Sequence, residues 1–307
     1  MSAIPRSVKI REVGPRDGFQ NEPEVIGTAD KVRLIEALAA SGVGRIELTS
    51  FVRPDVIPQP ADAEQVLEAV RLPESTRVTV LVPNERGMDR ALLHRARIDE
   101  VSVFLSASET HNRHNVNRSV RESLNGLAGV LKRAGEEGLG RVAVIATSFG
   151  CPYEGVVAAE RVYEIAAALV ELGAGEIGFG DTTGMANPLQ VGAFFAGARA
   201  RLGAEVELTA HFHNTRGQGL ANVLAALQAG VDSFESSFGE LGGCPVPAGA
   251  TGNIASEDLV SMLAEMGIET GIDLPKLLEA TEMVREVLGR ALGSHTLTAG
   301  PIDWQPA

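Results

Sequence analysis

The feature that most constrains the fold of this chain is a repeated alternation of short β-branched segments with alanine- and leucine-rich amphipathic segments. Glycine follows the end of helical patterns at Gly42 and Gly173, a usual sign of a helix C-terminus. Eight strands alternating with eight helices, with no structureless linker, predict a parallel α/β fold. The predicted strands are 8–13, 45–50, 77–82, 100–108, 141–149, 176–182, 205–213 and 233–238.

The length of the chain favours a closed barrel over an open sheet. A (β/α)8 barrel takes about 250 residues, and this chain has 307. A doubly wound open sheet is the alternative, but no predicted strand leads into a G-x-G-x-x-G turn. We therefore predict one (β/α)8 TIM barrel domain over residues 1–307, with 273–307 as a C-terminal helical appendage.

Composition limits the partners and the compartment. A formal net charge of −13 argues against general affinity for nucleic acid or anionic membranes. No apolar run approaches the ~20 residues of a transmembrane helix, and the first ten residues lack the apolar core of a secretory signal. The two cysteines, Cys151 and Cys244, are far apart and do not suggest a disulfide framework. We expect a cytoplasmic protein with no nucleic-acid partner and no membrane association.

Polar residues follow at least five of the predicted strands. The C-terminal ends of barrel strands are where such folds place their active sites. Any one of these residues could be a capping or solvated residue, but their convergence on one face indicates a site. The candidates are Arg16 and Asp17 after the first strand, Glu47 on the second, Asp181 on the sixth, His211 and His213 on the seventh, and Cys244 and Asn253 after the eighth.

Four of these residues form a candidate metal site. His211 and His213 are two residues apart, so on a strand both imidazoles point to one face. With the Asp17 carboxylate and the Asn253 amide oxygen they make a mixed nitrogen and oxygen set that suits Mg²⁺, Mn²⁺ or another first-row divalent ion.

Each of these residues also has a plain structural interpretation. The histidines could be solvated at a strand end, Asp17 could serve a turn or a helix N-cap, and Asn253 could cap the helix that begins IASEDLVSML. Thiolate ligation of Zn²⁺ by Cys244 is less favoured, because no second cysteine is near it in sequence.

Arg16 and Cys244 are candidate catalytic residues. Arginine offers fixed donors for an enolate or carboxylate oxygen, although Arg16 could equally form a salt bridge at the barrel mouth. Cys244 lies in a glycine-rich segment, where a thiol beside a metal site is well placed for proton transfer; a lone cysteine is otherwise often an inert buried residue. Cys151 is interpreted as a bystander.

Several motifs together resemble those of the 3-hydroxy-3-methylglutaryl-CoA lyases, from about residue 8 to residue 290. Arg-Asp and His-x-His are shared by a wider group of metal-dependent lyase and Claisen-synthase barrels, whereas the Gly-Gly-Cys-Pro loop is specific to the lyases. The synthases typically carry Gly-Glu-Arg-x-Gly-Asn instead. The motifs are VGPRDGFQNE (13–22), IELTSFVRPDVIPQ (46–59), SASETHNRHNVN (106–117), GDTTG (180–184), HFHNTRGQGLAN (211–222) and LGGCPVPAGATGN (241–253).

The resemblance implies a reaction and residue roles. It implies cleavage of a 3-hydroxy-3-methylglutaryl thioester to acetyl-CoA and acetoacetate, as in leucine degradation and ketone body formation, and a homodimeric enzyme. Arg16 would hold the thioester carbonyl and stabilise the enolate, and Cys244 would be the catalytic thiol. Glu47 and Asp181 would assist proton transfer or orient their neighbours. The implied metal ligands are Asp17, His211, His213 and Asn253.

The chain also departs from the pattern of these lyases. Glu240 stands in place of the first glycine of the cysteine loop, Val246 and Pro247 replace Tyr-Ala, and Phe19 stands where leucine is common. These changes leave the metal and thiol positions intact but affect the expected preference for the acyl chain of the substrate. A related or longer 3-hydroxyacyl-CoA is therefore an alternative substrate. A Claisen-type synthase acting on a 2-oxo acid and a non-catalytic metal-binding barrel are the remaining alternatives.

Overall fold

The computed structural model describes residues 4–243 and 251–302, and within these ranges it has eight strands and eleven helices. The strands are β1 (Lys9–Glu12), β2 (Arg45–Ser50), β3 (Arg77–Leu81), β4 (Glu100–Ser106), β5 (Gly140–Ala146), β6 (Glu176–Asp181), β7 (Glu207–Phe212) and β8 (Ser233–Ser236). The helices are α1 (Thr28–Ala40), α2 (Ala63–Ala69), α3 (Glu85–Leu92), α4 (Glu109–Val116), α5 (Val120–Glu136), α6 (Ala159–Glu171), α7 (Pro188–Leu202), α8 (Gly219–Gln228), α9 (Ser256–Glu265), α10 (Leu274–Leu288) and α11 (His295–Ala299).

The strands close into a parallel barrel in sequence order, which confirms the predicted TIM barrel. β1 pairs with β2 on one side and with β8 on the other. Arg11 of β1 lies opposite Arg45 of β2 and opposite Glu235 of β8. Charged residues from three neighbouring strands therefore occupy one level of the barrel.

Apolar faces of the helices cover the barrel. Leu34, Ile35 and Leu38 of α1 are at most 1% exposed, and their i, i+1, i+4 spacing places them on one side of the helix. Burial of one such side chain contributes about 1.5–3 kcal/mol. Gly42 and Gly173 follow α1 and α6 with φ of +92° and +100°, which agrees with the predicted helix ends.

The C-terminal region is helical, as the sequence predicts. The helix predicted within 273–292 is observed as α10, and the short helix α11 follows it. The backbone N–H of Asp273 donates to the carbonyl of Ser41, so the start of α10 is tied to the end of α1. The extent of the single domain over 1–307 stays a prediction. Among the residues described, no helix is both long and apolar enough to cross a bilayer.

Candidate active site

The loop after β1 brings Arg16 and Asp17 to the mouth of the barrel. Residues 14–18 form one π-helical turn, in which the backbone N–H groups of Arg16 and Asp17 donate to the carbonyl of Val13. This turn replaces the strand extension on which the two side chains would diverge. Arg16 Nη1 instead donates to Asp17 Oδ1 at 2.6 Å.

Arg16 is held by two carboxylates. Its Nε donates to Glu47 Oε2 at 2.6 Å, and Glu47 Oε1 accepts the hydroxyl of Ser102 at 2.5 Å. Burial acts to lower the pKa of Arg16, but Glu47 and Asp17 outweigh it and raise that pKa. The salt bridge at the barrel mouth is therefore present. Because a guanidinium carries five N–H donors, further donors remain for a substrate oxygen.

His211 and His213 project together from the end of β7. Their Nε2 atoms are 3.1 Å apart, and both side chains are buried. Asp17, His211 and His213 each offer one ligand atom, and these atoms lie within 4.8 Å of one another. Donors about 2.1 Å from one ion stand about 3–4 Å apart. The separation of the two imidazole nitrogens lies in that range, and the carboxylate is close enough to join them on one ion.

Asn253 completes the cluster from the segment after β8. It forms an isolated bridge with His213, and its Nδ2 donates to Asp17 Oδ2 at 2.8 Å and to the carbonyl of Leu241 at 3.1 Å. Both amide hydrogens thus face oxygens, which assigns the amide orientation. Its Oδ1 is buried and has no hydrogen-bond partner in the part of the chain described. The alternative of a helix cap is wrong, because Ala255 occupies the N-cap of α9.

The charge states of Asp17 and His213 suit a divalent cation. Burial acts to raise the pKa of Asp17, but Arg16, His211 and His213 outweigh it and lower the pKa to about 2. Burial and the neighbouring His211 lower the pKa of His213 to about 4. At neutral pH one ligand is therefore an ionised carboxylate and another a neutral imidazole, the forms that bind metal. The residues present fit a divalent ion.

Asp181, at the end of β6, is a buried carboxylate with one free oxygen. Its Oδ1 accepts the backbone N–H groups of Met185 at 2.7 Å and Ala186 at 3.0 Å. Its Oδ2 is buried and finds no hydrogen-bond partner among the described residues. Burial outweighs the two amide donors and raises the pKa of Asp181 to about 7. A carboxyl with that pKa can take up or release a proton at neutral pH.

The two cysteines differ in their relation to the site. Cys244 lies outside the described residues, so its candidate role stays a prediction. Cys151 is buried, and its thiol donates to Ser108 Oγ at 3.1 Å. A buried thiol with a structural partner is consistent with the interpretation of Cys151 as a bystander.

Sequence reasoning missed several buried ionisable residues that support the site. Glu12 accepts the backbone N–H groups of Gly14 at 2.7 Å and Phe238 at 3.1 Å, and so joins the loops after β1 and β8. Glu235 accepts from His211 Nδ1 at 2.9 Å. A signal was present, since a charge inside a strand of a fully buried parallel barrel is unusual and requires a partner.

Comparisons with known proteins agree with this architecture. The family model described as HMGL-like matches residues 7–284. The hydroxymethylglutaryl-CoA lyase YngG of Bacillus subtilis is 46% identical over 293 residues, which cover 95% of this chain and 97% of that protein. The (R)-citramalyl-CoA lyase of Chloroflexus aurantiacus is 43% identical over 306 residues, which cover 96% of each chain.

A solved structure shows that the similarity to these lyases extends to the fold. The HMG-CoA lyase of Acinetobacter baumannii, in complex with coenzyme A and 3-methylmalate, matches with a TM-score of 0.93. Its sequence identity is 39%, and the match covers 100% of both chains. All three of these relatives are lyases. This chain therefore belongs to the HMGL-like family, and within that family it is one of the lyases.

Proposed function

We propose that this protein cleaves 3-hydroxy-3-methylglutaryl-CoA to acetyl-CoA and acetoacetate with the help of Mg²⁺ or Mn²⁺. The observation that carries the proposal is the 2.6 Å contact between Arg16 and Asp17. It sets a fixed cation, suited to an enolate oxygen, directly beside a cluster suited to a metal. Such a pairing supports a reaction that starts from an alcohol and leaves a thioester enolate.

The proposed ligands are Asp17, His211, His213 and Asn253, which would hold the ion by one carboxylate, two imidazoles and an amide oxygen. When bound, a divalent ion acts as a Lewis acid toward substrate oxygens and lowers the pKa of a hydroxyl. Arg16 donates to the thioester carbonyl oxygen and stabilises the negative charge that develops there. One such donor contributes about 3–4 kcal/mol in comparable oxyanion sites.

Two proton transfers complete the reaction. The tertiary alcohol loses its proton as the bond between C2 and C3 breaks, which leaves acetoacetate and the enolate of acetyl-CoA. Asp181 accepts this proton, as its free Oδ2 and its pKa of about 7 allow. Cys244 then protonates the enolate carbon. Glu47 orients Arg16 through its contact with Nε.

A second substrate is supported by one comparison. The (R)-citramalyl-CoA lyase is 43% identical to this chain, close to the 46% of the hydroxymethylglutaryl-CoA lyase from Bacillus subtilis. Identity therefore does not separate the two substrates. The substitutions around the cysteine loop, at Glu240, Val246 and Pro247, are the positions at which a different acyl chain would be accommodated.

The test is a direct assay of both thioesters. The protein is incubated with Mg²⁺ or Mn²⁺ and either 3-hydroxy-3-methylglutaryl-CoA or (R)-citramalyl-CoA, and acetyl-CoA and acetoacetate are measured. We expect acetoacetate from the first substrate and none after chelation of the metal. Faster release of acetyl-CoA from citramalyl-CoA would assign the second substrate instead. Condensation of acetyl-CoA with a 2-oxo acid, without cleavage of either thioester, would identify a synthase.

A further inference from the structure

A buried carboxylate connects His211 to the cation at the centre of the barrel. Glu235 of β8 accepts from His211 Nδ1 through Oε2 at 2.9 Å and from Arg11 Nη1 through Oε1 at 2.8 Å. Glu235 is 3% exposed, His211 8% and Arg11 1%. Each carboxylate oxygen therefore has its own donor, in a region from which water is excluded.

Arg11 is itself fixed. Its Nη1 and Nη2 donate to the two oxygens of Glu176, each at 2.8 Å, and Nη2 also donates to Glu100 at 3.2 Å. A bidentate pair of this kind restrains the guanidinium plane. Since β1 and β8 are paired with Arg11 opposite Glu235, neither partner can move without disturbing the barrel. Glu235 is therefore held in place from the side away from the site.

This arrangement determines which nitrogen of His211 faces the cluster as a ligand. An ionised carboxylate only accepts hydrogen bonds, so the hydrogen must be on Nδ1. Nε2, which faces His213 at 3.1 Å, is then available to a metal. We propose that Glu235 is a positioning residue that fixes the tautomer and orientation of His211 for metal binding. The inference rests on the proposed metal site but not on the identity of the substrate.

The substitution Glu235→Gln gives a sharp test. Glutamine has nearly the same shape but only one acceptor oxygen, whereas two donors face it. Arg11 is permanently charged and takes that oxygen, so the amide NH₂ faces His211 Nδ1. His211 must then accept at Nδ1 and carry its hydrogen on Nε2, which blocks ligation. Loss of such a supporting contact typically weakens metal affinity 10–100-fold.

The primary readout is the dissociation constant for Mn²⁺, from electron paramagnetic resonance of the free ion. We expect an affinity about 10–100-fold weaker in Glu235→Gln and a smaller loss in Glu235→Asp, which keeps both acceptors. The second readout is a long-range ¹H–¹⁵N spectrum of the histidine-labelled parent protein with saturating Mg²⁺. It should show His211 protonated at Nδ1, and it needs no variant to fold.

Glu100→Gln is the matched control, because Glu100 contacts Arg11 and Arg45 but not His211. We expect its Mn²⁺ affinity to stay within about threefold of the parent, well short of the loss of a supporting contact. Equal losses in Glu235→Gln and Glu100→Gln would overturn the proposal in favour of a general structural role, as would a parent His211 protonated at Nε2. Failure to cleave either thioester, with these metal results intact, would count against the proposed function alone.

Discussion

Side chains at the mouth of the barrel combine structural contacts with groups left open to a ligand. Asp17 accepts from Arg16 with one oxygen and from Asn253 with the other. Asn253 uses both amide hydrogens on oxygens and keeps Oδ1 free of partners among the described residues. Donors and acceptors on the protein side fix each side chain, so little reorganisation is needed when a ligand binds.

Arg16 should not tolerate lysine. Arg16→Lys keeps the charge but loses the planar fork that reaches Glu47 and Asp17 together. We expect kcat to fall about 100-fold or more, the scale of one lost oxyanion donor, with a much smaller change in KM. Steady-state kinetics on 3-hydroxy-3-methylglutaryl-CoA measures both.

Arg90 provides the control for that substitution. Its Nε also donates to a glutamate, Glu64, at 2.8 Å, but on a partly exposed helix surface. Arg90→Lys should leave kcat close to that of the parent. A near-normal kcat in Arg16→Lys as well would reduce Arg16 to a salt bridge at the barrel mouth.

Cys244 is the residue on which the proposed lyase mechanism depends most. Cys244→Ser keeps the size of the side chain but supplies a far weaker acid, so we expect normal metal affinity and loss of most activity. Turnover and Mn²⁺ affinity are measured on the same preparation. Cys151→Ser, at a buried thiol bonded to Ser108, should retain most of its turnover. Parent-like turnover in Cys244→Ser would mean that another group protonates the enolate.

At the scale of elements, periodicity predicted the strands well but local hydrogen bonding set their ends. The strand predicted over 100–108 ends at Ser106, because Ser108 caps α4 by accepting the N–H of His111 at 3.1 Å. The strand predicted over 141–149 ends at Ala146, since Thr147 has φ of +56°. Apolar alternation cannot show such a turn, because the turn depends on side-chain contacts with other loops.

Local sequence patterns do not show contacts between distant parts of the chain, and this determines which site residues could be predicted. Residues at or just after the strand ends, such as Asp17 and His211, were predictable because the active sites of these barrels lie at the C-terminal ends of the strands. Glu12, Arg11 and Glu235 lie within strands, and they have partners far away in sequence, such as Phe238 for Glu12 and Glu235 for Arg11. Only the three-dimensional register brings them together, so their roles needed the structure.

Glu12 links two site loops and should make stability depend on pH. Burial outweighs its hydrogen bonds and raises the pKa of Glu12 to about 8. Its ordinary value in an unfolded chain is about 4.3. The folded state therefore holds the extra proton between these values, and this contribution to stability is complete below the lower pKa and lost as pH rises toward about 8.

Glu12→Gln should remove this dependence. A glutamine amide keeps an oxygen for the N–H groups of Gly14 and Phe238 and has no proton to lose. Its NH₂ group stands where Glu12 Oε2 accepts the hydroxyl of Ser256, so the Ser256 oxygen becomes the acceptor of that contact. Relative to the parent, the variant should gain free energy of unfolding between about pH 5 and 8, by up to about 1.4 kcal/mol per pH unit. Urea denaturation at each pH measures it. Glu171 is exposed, so the free energy of unfolding of Glu171→Gln should change with pH as that of the parent does. The same pH dependence in Glu12→Gln as in the parent would refute the raised pKa of Glu12.

On the scale of the whole molecule, the proposed metal site joins distant parts of the chain. Asp17 follows β1, His211 and His213 belong to the end of β7, and Asn253 precedes α9. A ligand that binds all of them can bind only the closed barrel, in which β1 and β8 pair. Metal binding should therefore stabilise the entire fold. The expected homodimer stays a prediction, separate from this effect.

Saturation with Mn²⁺ should raise Tm, and the histidine ligands should be required for the increase. At about a hundred times the dissociation constant, binding to the folded state alone adds about 2.7 kcal/mol, which corresponds to about 5 °C for a chain of this size. Differential scanning calorimetry with Mn²⁺ and with chelator measures the shift. His211→Ala and His213→Ala should fold but lose both the shift and turnover, because each leaves the coordination sphere incomplete. His114→Ala should keep the full shift, since that exposed ring stacks on Tyr153 at 4.7 Å, outside the cluster. Equal shifts in all three variants would place the bound ion elsewhere and leave the buried His211 and His213 without a role as ligands.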